Sequence, residues 1–246
     1  VSFLPEIHRD DKKLKLRLSD LLSEKYLFTD QDWAEIELVL LRGDILQIEK
    51  LLSGKDVEVE YTLYGKDFWK EQIKTPKEVP VFFSEAFDAF VSEGLSPANL
   101  ERLYQAYYIH ALETTASPFL RAYLRFEKDL RNIVAAIRAR RNGLPPSENI
   151  VGEGDLIDTL GRSTAEDFGL SAEYPWIEKL ITAREPVETE EAIEQIVWDT
   201  LDEKTEHMDF DFDVVLAYLV RLHILERNLA LSEERGKDVV RQLEEL

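Results

Sequence analysis

No cysteine occurs among the 246 residues, which excludes disulfide bridges, thiolate metal sites and cysteine nucleophiles. Long apolar runs are also missing: Val214–Val220, near the end, is far too short to span a bilayer. The chain starts at Val1, with neither a methionine nor a basic leader ahead of an apolar stretch. The expectation is therefore a soluble protein that is not secreted, with its native first residues missing. Glycine is sparse, and none of the ten builds a Gly-x-x-x-x-Gly-Lys phosphate loop or a Gly-x-Ser-x-Gly nucleophile elbow. Gly152-Glu-Gly154 lacks the third glycine and the preceding strand of a dinucleotide turn, so it reads as linker.

Histidine is almost as scarce, with four residues. Helical bundles that bind iron or manganese need Glu-x-x-His pairs, because that spacing aims a carboxylate and an imidazole at one ion. None of His8, His110, His207 or His223 follows a glutamate at that distance, and His110 with Glu113 has the order reversed. The run from His207 to Asp213 places Asp209, Asp211 and Asp213 at alternate positions, as a calcium loop does. Such a loop requires glycine at its sixth position and glutamate at its twelfth, where this chain has Val214 and Val220. These aspartates fit better as the acidic start of a helix. No cofactor and no metal is expected.

What the chain has in abundance is negative charge: 50 acidic residues against 30 basic ones, a net charge of −20. Residues 188–213 concentrate it, with eleven carboxylates facing Lys204 alone. The opposite bias appears in residues 117–143, which carry seven basic and two acidic side chains. Nucleic acid is excluded as a partner by the overall charge and by the lack of a stacking platform among those basic residues.

That basic stretch has both helix ends written into it. Ser117 is a good N-cap, Pro118 fits the first turn, and Asn142-Gly143 followed by Pro145 is a stop. Phe119, Tyr123, Phe126, Leu130, Ile133 and Ile137 fall on one face, widened by Leu120, Leu124 and Val134. Arg121, Arg125 and Lys128 lie opposite; Glu127, Arg131 and Arg138 sit on the shoulder of the seam, where Glu127 and Arg131 have the spacing of an ion pair.

Elsewhere, helices are expected over 19–27, 30–41, 44–52, 66–73, 87–93, 96–115, 188–206, 211–231 and 233–246. Thr29 and Asp32 form a capping box, and Ser232 with Arg235 reads as a new helix start. Residues 57–63 alternate as a short strand or an extended link. The proline- and glycine-rich segment 142–154 is the best boundary, dividing an N-terminal region, 1–145, from a C-terminal region, 146–246. The predicted fold is all-α. A short repeat supports stacked helical units: Asp44-Ile-Leu-Gln47-Ile48 matches Asp129-Leu-Arg-Asn132-Ile133, and Glu226-Arg227-Asn228-Leu229 is a looser third copy.

Residues Tyr123 to Gly143 resemble the most recognisable helix of the C-type connector family of V-type ATPases, whose eukaryotic members are called d-type. Ser2 to Pro5, Leu40 to Asp44 and Tyr218 to Asn228 resemble a shorter bacterial group encoded beside V-type ATPase genes. The resemblance implies an all-helical, repeated, funnel- or bundle-like connector between the central rotor shaft and the membrane ring of a proton- or sodium-translocating rotary ATPase. It implies a non-enzymatic adaptor in the cytoplasm, held peripheral to the membrane by protein contacts, with no span of its own. Asp44, Glu127, Asp129, Arg131 and Asn132 are then architectural. Arg121, Arg125, Lys128, Arg138, Arg140 and Arg141 are then candidate partner contacts, facing acid from this chain or from another member of the assembly. An all-α metal-carboxylate enzyme and a general helical scaffold are the alternatives.

Overall fold

The computed structural model describes residues 4–94, 96–150, 152–208 and 211–244, and it is all-α, with no strand among them. Ten helices follow in order: α1 (Leu18–Ser23), α2 (Asp30–Leu52), α3 (Lys66–Lys74), α4 (Ser84–Glu93), α5 (Pro97–Thr114), α6 (Pro118–Arg141), α7 (Asp155–Arg162), α8 (Ile177–Thr182), α9 (Pro186–Thr205) and α10 (Phe212–Glu244). Ser2 and Phe3 of the N-terminal motif, and Asp209 of the acidic run, lie outside the described residues.

The caps behave as their chemistry dictates. Thr29 and Asp32 close a reciprocal capping box at the start of α2. Ser96 Oγ accepts the Asn99 N–H at 3.1 Å, and Ser117 Oγ accepts the Leu120 N–H at 2.8 Å. At the far end of α6 the chain turns through Gly143 at φ 69°, and the Leu144 N–H reaches back to the Ala139 carbonyl.

Three boundaries differ from expectation. Residues 30–41 and 44–52 form one helix, because Gly43 continues α2 where the backbone of Tyr61 crosses it. A Cβ at Gly43 would stand 2.5 Å from the Tyr61 carbonyl oxygen. The glycine is there for close approach, not to end a helix. The first helix is shorter than 19–27, giving way to a 3-10 turn at Lys25–Leu27. Helix α10 runs straight through Ser232: interrupting and renucleating a helix costs more than the small propensity penalty of one serine. Residues 57–63 are an extended link rather than a strand.

One hydrophobic cluster runs from Leu18 to Ile224 and draws on every helix from α1 to α10. Helix α6 is central to it, packing on α5, α7, α8, α9 and α10. Phe119, Leu120, Tyr123, Leu124, Leu130, Ile133, Val134 and Ile137 are buried as the seam requires, while Phe126 is half-buried against the edge of Trp176. Each fully buried Leu, Ile or Phe contributes about 1.5–3 kcal/mol of transfer free energy, against which chain entropy acts.

The corner between α5 and α6 is tied by carboxylates from two other helices. Glu35 of α2 accepts the Thr115 hydroxyl at 2.5 Å and the Ala116 N–H at 2.7 Å. Asp213 of α10 accepts the Ser117 hydroxyl at 2.6 Å. Two acids thus stand at the positive end of α6, where the helix dipole favours them.

Candidate functional site

The repeated motif places the same side chains in related work. In the first copy, Asp44 is fully buried and accepts the backbone N–H groups of Leu63 and Tyr64, at 2.8 and 3.1 Å, and the indole N–H of Trp69 at 2.6 Å. Gln47 donates to the Val57 carbonyl and accepts from the Val59 N–H. Together they pin the extended link onto α2. Burial raises the Asp44 carboxyl above its ordinary range, and these three donors oppose the shift.

In the second copy, Asp129 is half-buried and accepts the Tyr174 hydroxyl at 3.2 Å, tying the loop before α8 to α6. Its carboxyl is likewise raised by burial. Asn132 is 1% exposed and is partnered. In the third, Asn228 donates to Glu194 of α9 at 2.8 Å.

Counting five residues back from Gln47, Asn132 and Asn228 reaches Arg42, Glu127 and His223. All three line one cavity between α2, α6 and α10, closed on a further side by tyrosines of α5. Arg42 Nε lies 3.0 Å from Glu127 Oε1, to which the Tyr123 hydroxyl also points at 3.4 Å. Glu127 is buried, and its second oxygen, Oε2, has no hydrogen-bond partner. Arg42 lines the cavity and keeps 48% of its side-chain surface accessible. Glu127 holds the guanidinium firmly protonated, against the effect of burial. His223 packs edge-on against Tyr61, and burial, with the nearby charges of Arg42 and Arg227, lowers its pKa to about 4. It is neutral at physiological pH.

The expected pair between Glu127 and Arg131 does not form. Glu127 is taken by Arg42 from the facing helix, and Arg131 turns to Glu101 of α5 while its guanidinium stacks 3.4 Å over the Tyr104 ring. Both choices satisfy charges that lie toward the core, where an exposed i,i+4 contact would not. The second part of the cavity opens beyond Arg131 toward α9, with a volume of about 420 Å³.

The basic residues of α6 are mostly engaged within the chain. Arg121 donates to the Thr115 carbonyl, and Arg138 pairs with Glu190 at 3.1 Å. Arg140 donates to the carbonyls of Ser163 and Ala165 and lies 3.6 Å over the Phe168 ring. Arg141 donates to the Leu180 and Ile181 carbonyls at 2.8 and 3.1 Å, completing the C-terminal turn of α8. Arg125 is exposed, and Lys128 is half-buried beside Asp129.

Among the described residues no group of three or more His, Asp or Glu side chains is placed to hold a metal ion. His110 stacks flat on Phe82, with ring centroids 3.8 Å apart. Asp211 accepts the Asp213 N–H as the turn into α10 forms, and Asp213 faces Ser117. No helix among the described residues is long and apolar enough to cross a membrane.

Arg42 and the tyrosines of α5 were not singled out from sequence, and His223 and Arg227 were named there without a place in this cavity. The signal was present, since the repeat locates Arg42 and His223 once the register is extended five residues upstream.

A protein of Chlamydia muridarum (strain MoPn / Nigg), described as uncharacterized, is 24% identical over 242 residues, covering 92% of this chain and 88% of the relative. No solved structure matches. Residues 1–246 match the family described as "Protein of unknown function (DUF2764)", and the chain belongs to that family.

Proposed function

We propose that this chain is a non-enzymatic helical adaptor of a V-type rotary ATPase, joining the rotor shaft to the membrane ring from the cytoplasmic side through protein contacts alone. The reading rests on the resemblance of Tyr123 to Gly143 to the C-type connector family, and of Leu40 to Asp44 to the shorter bacterial group encoded beside V-type ATPase genes. The observation that carries it is the repeat. Asp44 and Asp129 each sit at the same motif position and each anchor a following segment, by donors from Leu63, Tyr64 and Trp69 in one copy and from Tyr174 in the other. Residues of matched register, Arg42 and Glu127, then meet across the interior. Such use of charged side chains, as ties between stacked units, suits a connector that must transmit force without deforming.

The direct test is affinity purification of the tagged chain from membranes of its own cells. Proteins of the rotor shaft and the ring should copurify in fixed proportion, and deletion of the gene should uncouple ATP hydrolysis from ion transport. Isolation of an intact, fully coupled ATPase that lacks this chain overturns the proposal. Stable complexes with other proteins and no ATPase component point instead to a general helical scaffold.

A further inference from the structure

The cavity between α2, α6 and α10 has a volume of about 210 Å³ in the part bounded by Arg42, Tyr107, Tyr123, Glu127 and His223. That is room for about seven water molecules at their liquid share of about 30 Å³ each. Much of its wall is aliphatic, contributed by Leu40, Leu124 and Leu219 among others. A void of this kind forfeits dispersion contacts when nothing apolar fills it.

Its polar end is built from charged side chains. Two guanidinium groups, Arg42 and Arg227, face one carboxylate, Glu127. Arg227 is held from outside this part by Glu194, at 2.8 Å, and Glu190, at 3.4 Å. Arg42 is held through Nε alone, leaving the Nη1–Nη2 edge without a protein acceptor among the described residues. An arginine steadied on one edge by a glutamate, with its other edge turned to a cavity, presents two parallel N–H groups matched to the oxygens of a carboxylate.

We infer that this cavity is a binding site for a small monocarboxylate with an apolar body, its carboxylate on the open edge of Arg42 and its hydrocarbon part among Leu40, Leu124 and Leu219. A body of roughly six to eight carbons suits the volume. A phosphate carries more charge than one guanidinium edge beside Glu127 can balance, and a cation cannot accept from guanidinium N–H groups. This site is independent of the adaptor reading, since the isolated chain either binds such a ligand or does not, whatever complex it joins.

The test is calorimetric titration of the full chain with hexanoate and with benzoate, set against hexanamide, benzamide and hexylamine. Saturable binding of the carboxylates at one site, with the amides and the amine at least tenfold weaker, is the expected result. Arg42→Lys keeps the charge next to Glu127 but removes the fork, and should weaken carboxylate binding at least tenfold in a chain that melts cooperatively. Absence of carboxylate binding, equal binding of amide and acid, or unchanged binding in folded Arg42→Lys each overturns the inference. The comparison of acid with amide uses only the wild-type chain, so it decides the matter even if the variant fails to fold.

Discussion

Arg42 and Glu127 stand in matched register, each two residues ahead of a repeat aspartate, and pair with each other, Nε to Oε1, at 3.0 Å. The contact joins α2 to α6 through charge, and its two members differ in surroundings: Glu127 is buried, whereas Arg42 borders open space. Removing the arginine strands a buried carboxylate. Arg42→Ala should lower stability by about 2 kcal/mol, less than for a fully enclosed pair because the guanidinium is half accessible. A double-mutant cycle with Glu127→Ala, followed by urea denaturation, should give a coupling of about 1 kcal/mol or more. Additive single effects would show that the pair contributes nothing.

Gly43 sets helix propensity against sterics. Alanine is the better helix former by about 1 kcal/mol, so an open helical site would gain from Gly43→Ala. Here the new methyl would meet the Tyr61 carbonyl oxygen at 2.5 Å, and moving that backbone disturbs the link held by Asp44 and Gln47. The expected net effect is a loss of about 1–3 kcal/mol, read from the denaturation midpoint. A stabilised variant would mean that the link is loosely held.

The two repeat aspartates should not be equally costly to remove. Asp44 accepts three donors at full burial, and Asp129 accepts the Tyr174 hydroxyl at a half-buried site. Asp44→Ala leaves two backbone N–H groups and an indole N–H unmet and should cost about 3 kcal/mol or more; Asp129→Ala should cost about 1 kcal/mol. Equal losses by thermal unfolding would contradict the hydrogen-bond assignment.

Asn132 is buried and partnered, so Asn132→Leu should lower the melting temperature by several degrees, with about 1–3 kcal/mol lost. An unchanged melting curve would show that the amide carries no bond of consequence.

His223 predicts a pH dependence. Its pKa in the fold is about 4, lowered first by burial and then by Arg42 and Arg227, while the unfolded chain titrates near the ordinary 6.5. Between those values the unfolded state binds a proton that the folded state refuses, so stability rises with pH across that window. The contribution is complete above about pH 6.5 and fades as pH falls toward 4, amounting to on the order of 3 kcal/mol. His223→Leu removes this dependence, and comparing the two proteins at about pH 7.5 and about pH 5 cancels the opposing titration of raised carboxylates such as Asp44 and Asp129. Parallel stability curves for wild type and variant would refute it.

The parts legible in advance were those decided locally. The all-α class and the caps at Thr29 and Ser117 depend on residues within one turn of each other, as does the buried face of α6, and sequence spacing reports these directly. Gly43 misled because its reason lies eighteen positions away, in the path of Tyr61. The partners of Glu127 and Arg131 were misjudged for the same cause: the i,i+4 rule counts neighbours along one helix, while a buried charge answers to whatever faces it from the next. The cavity was hardest to see. It depends on three helix segments meeting at one level, and only the shared register of Arg42, Glu127 and His223 hints at that meeting.

The inward use of the arginines of α6 has an electrostatic consequence for the outside. With Arg140 and Arg141 closing carbonyls of neighbouring segments and Arg138 paired with Glu190, these three arginines are held against the chain, and an approaching body meets a net charge of −20 in which they are already counted. Two copies of this chain repel each other at low ionic strength, and a positively charged protein surface is drawn in faster than diffusion alone would bring it. Added salt weakens both effects together.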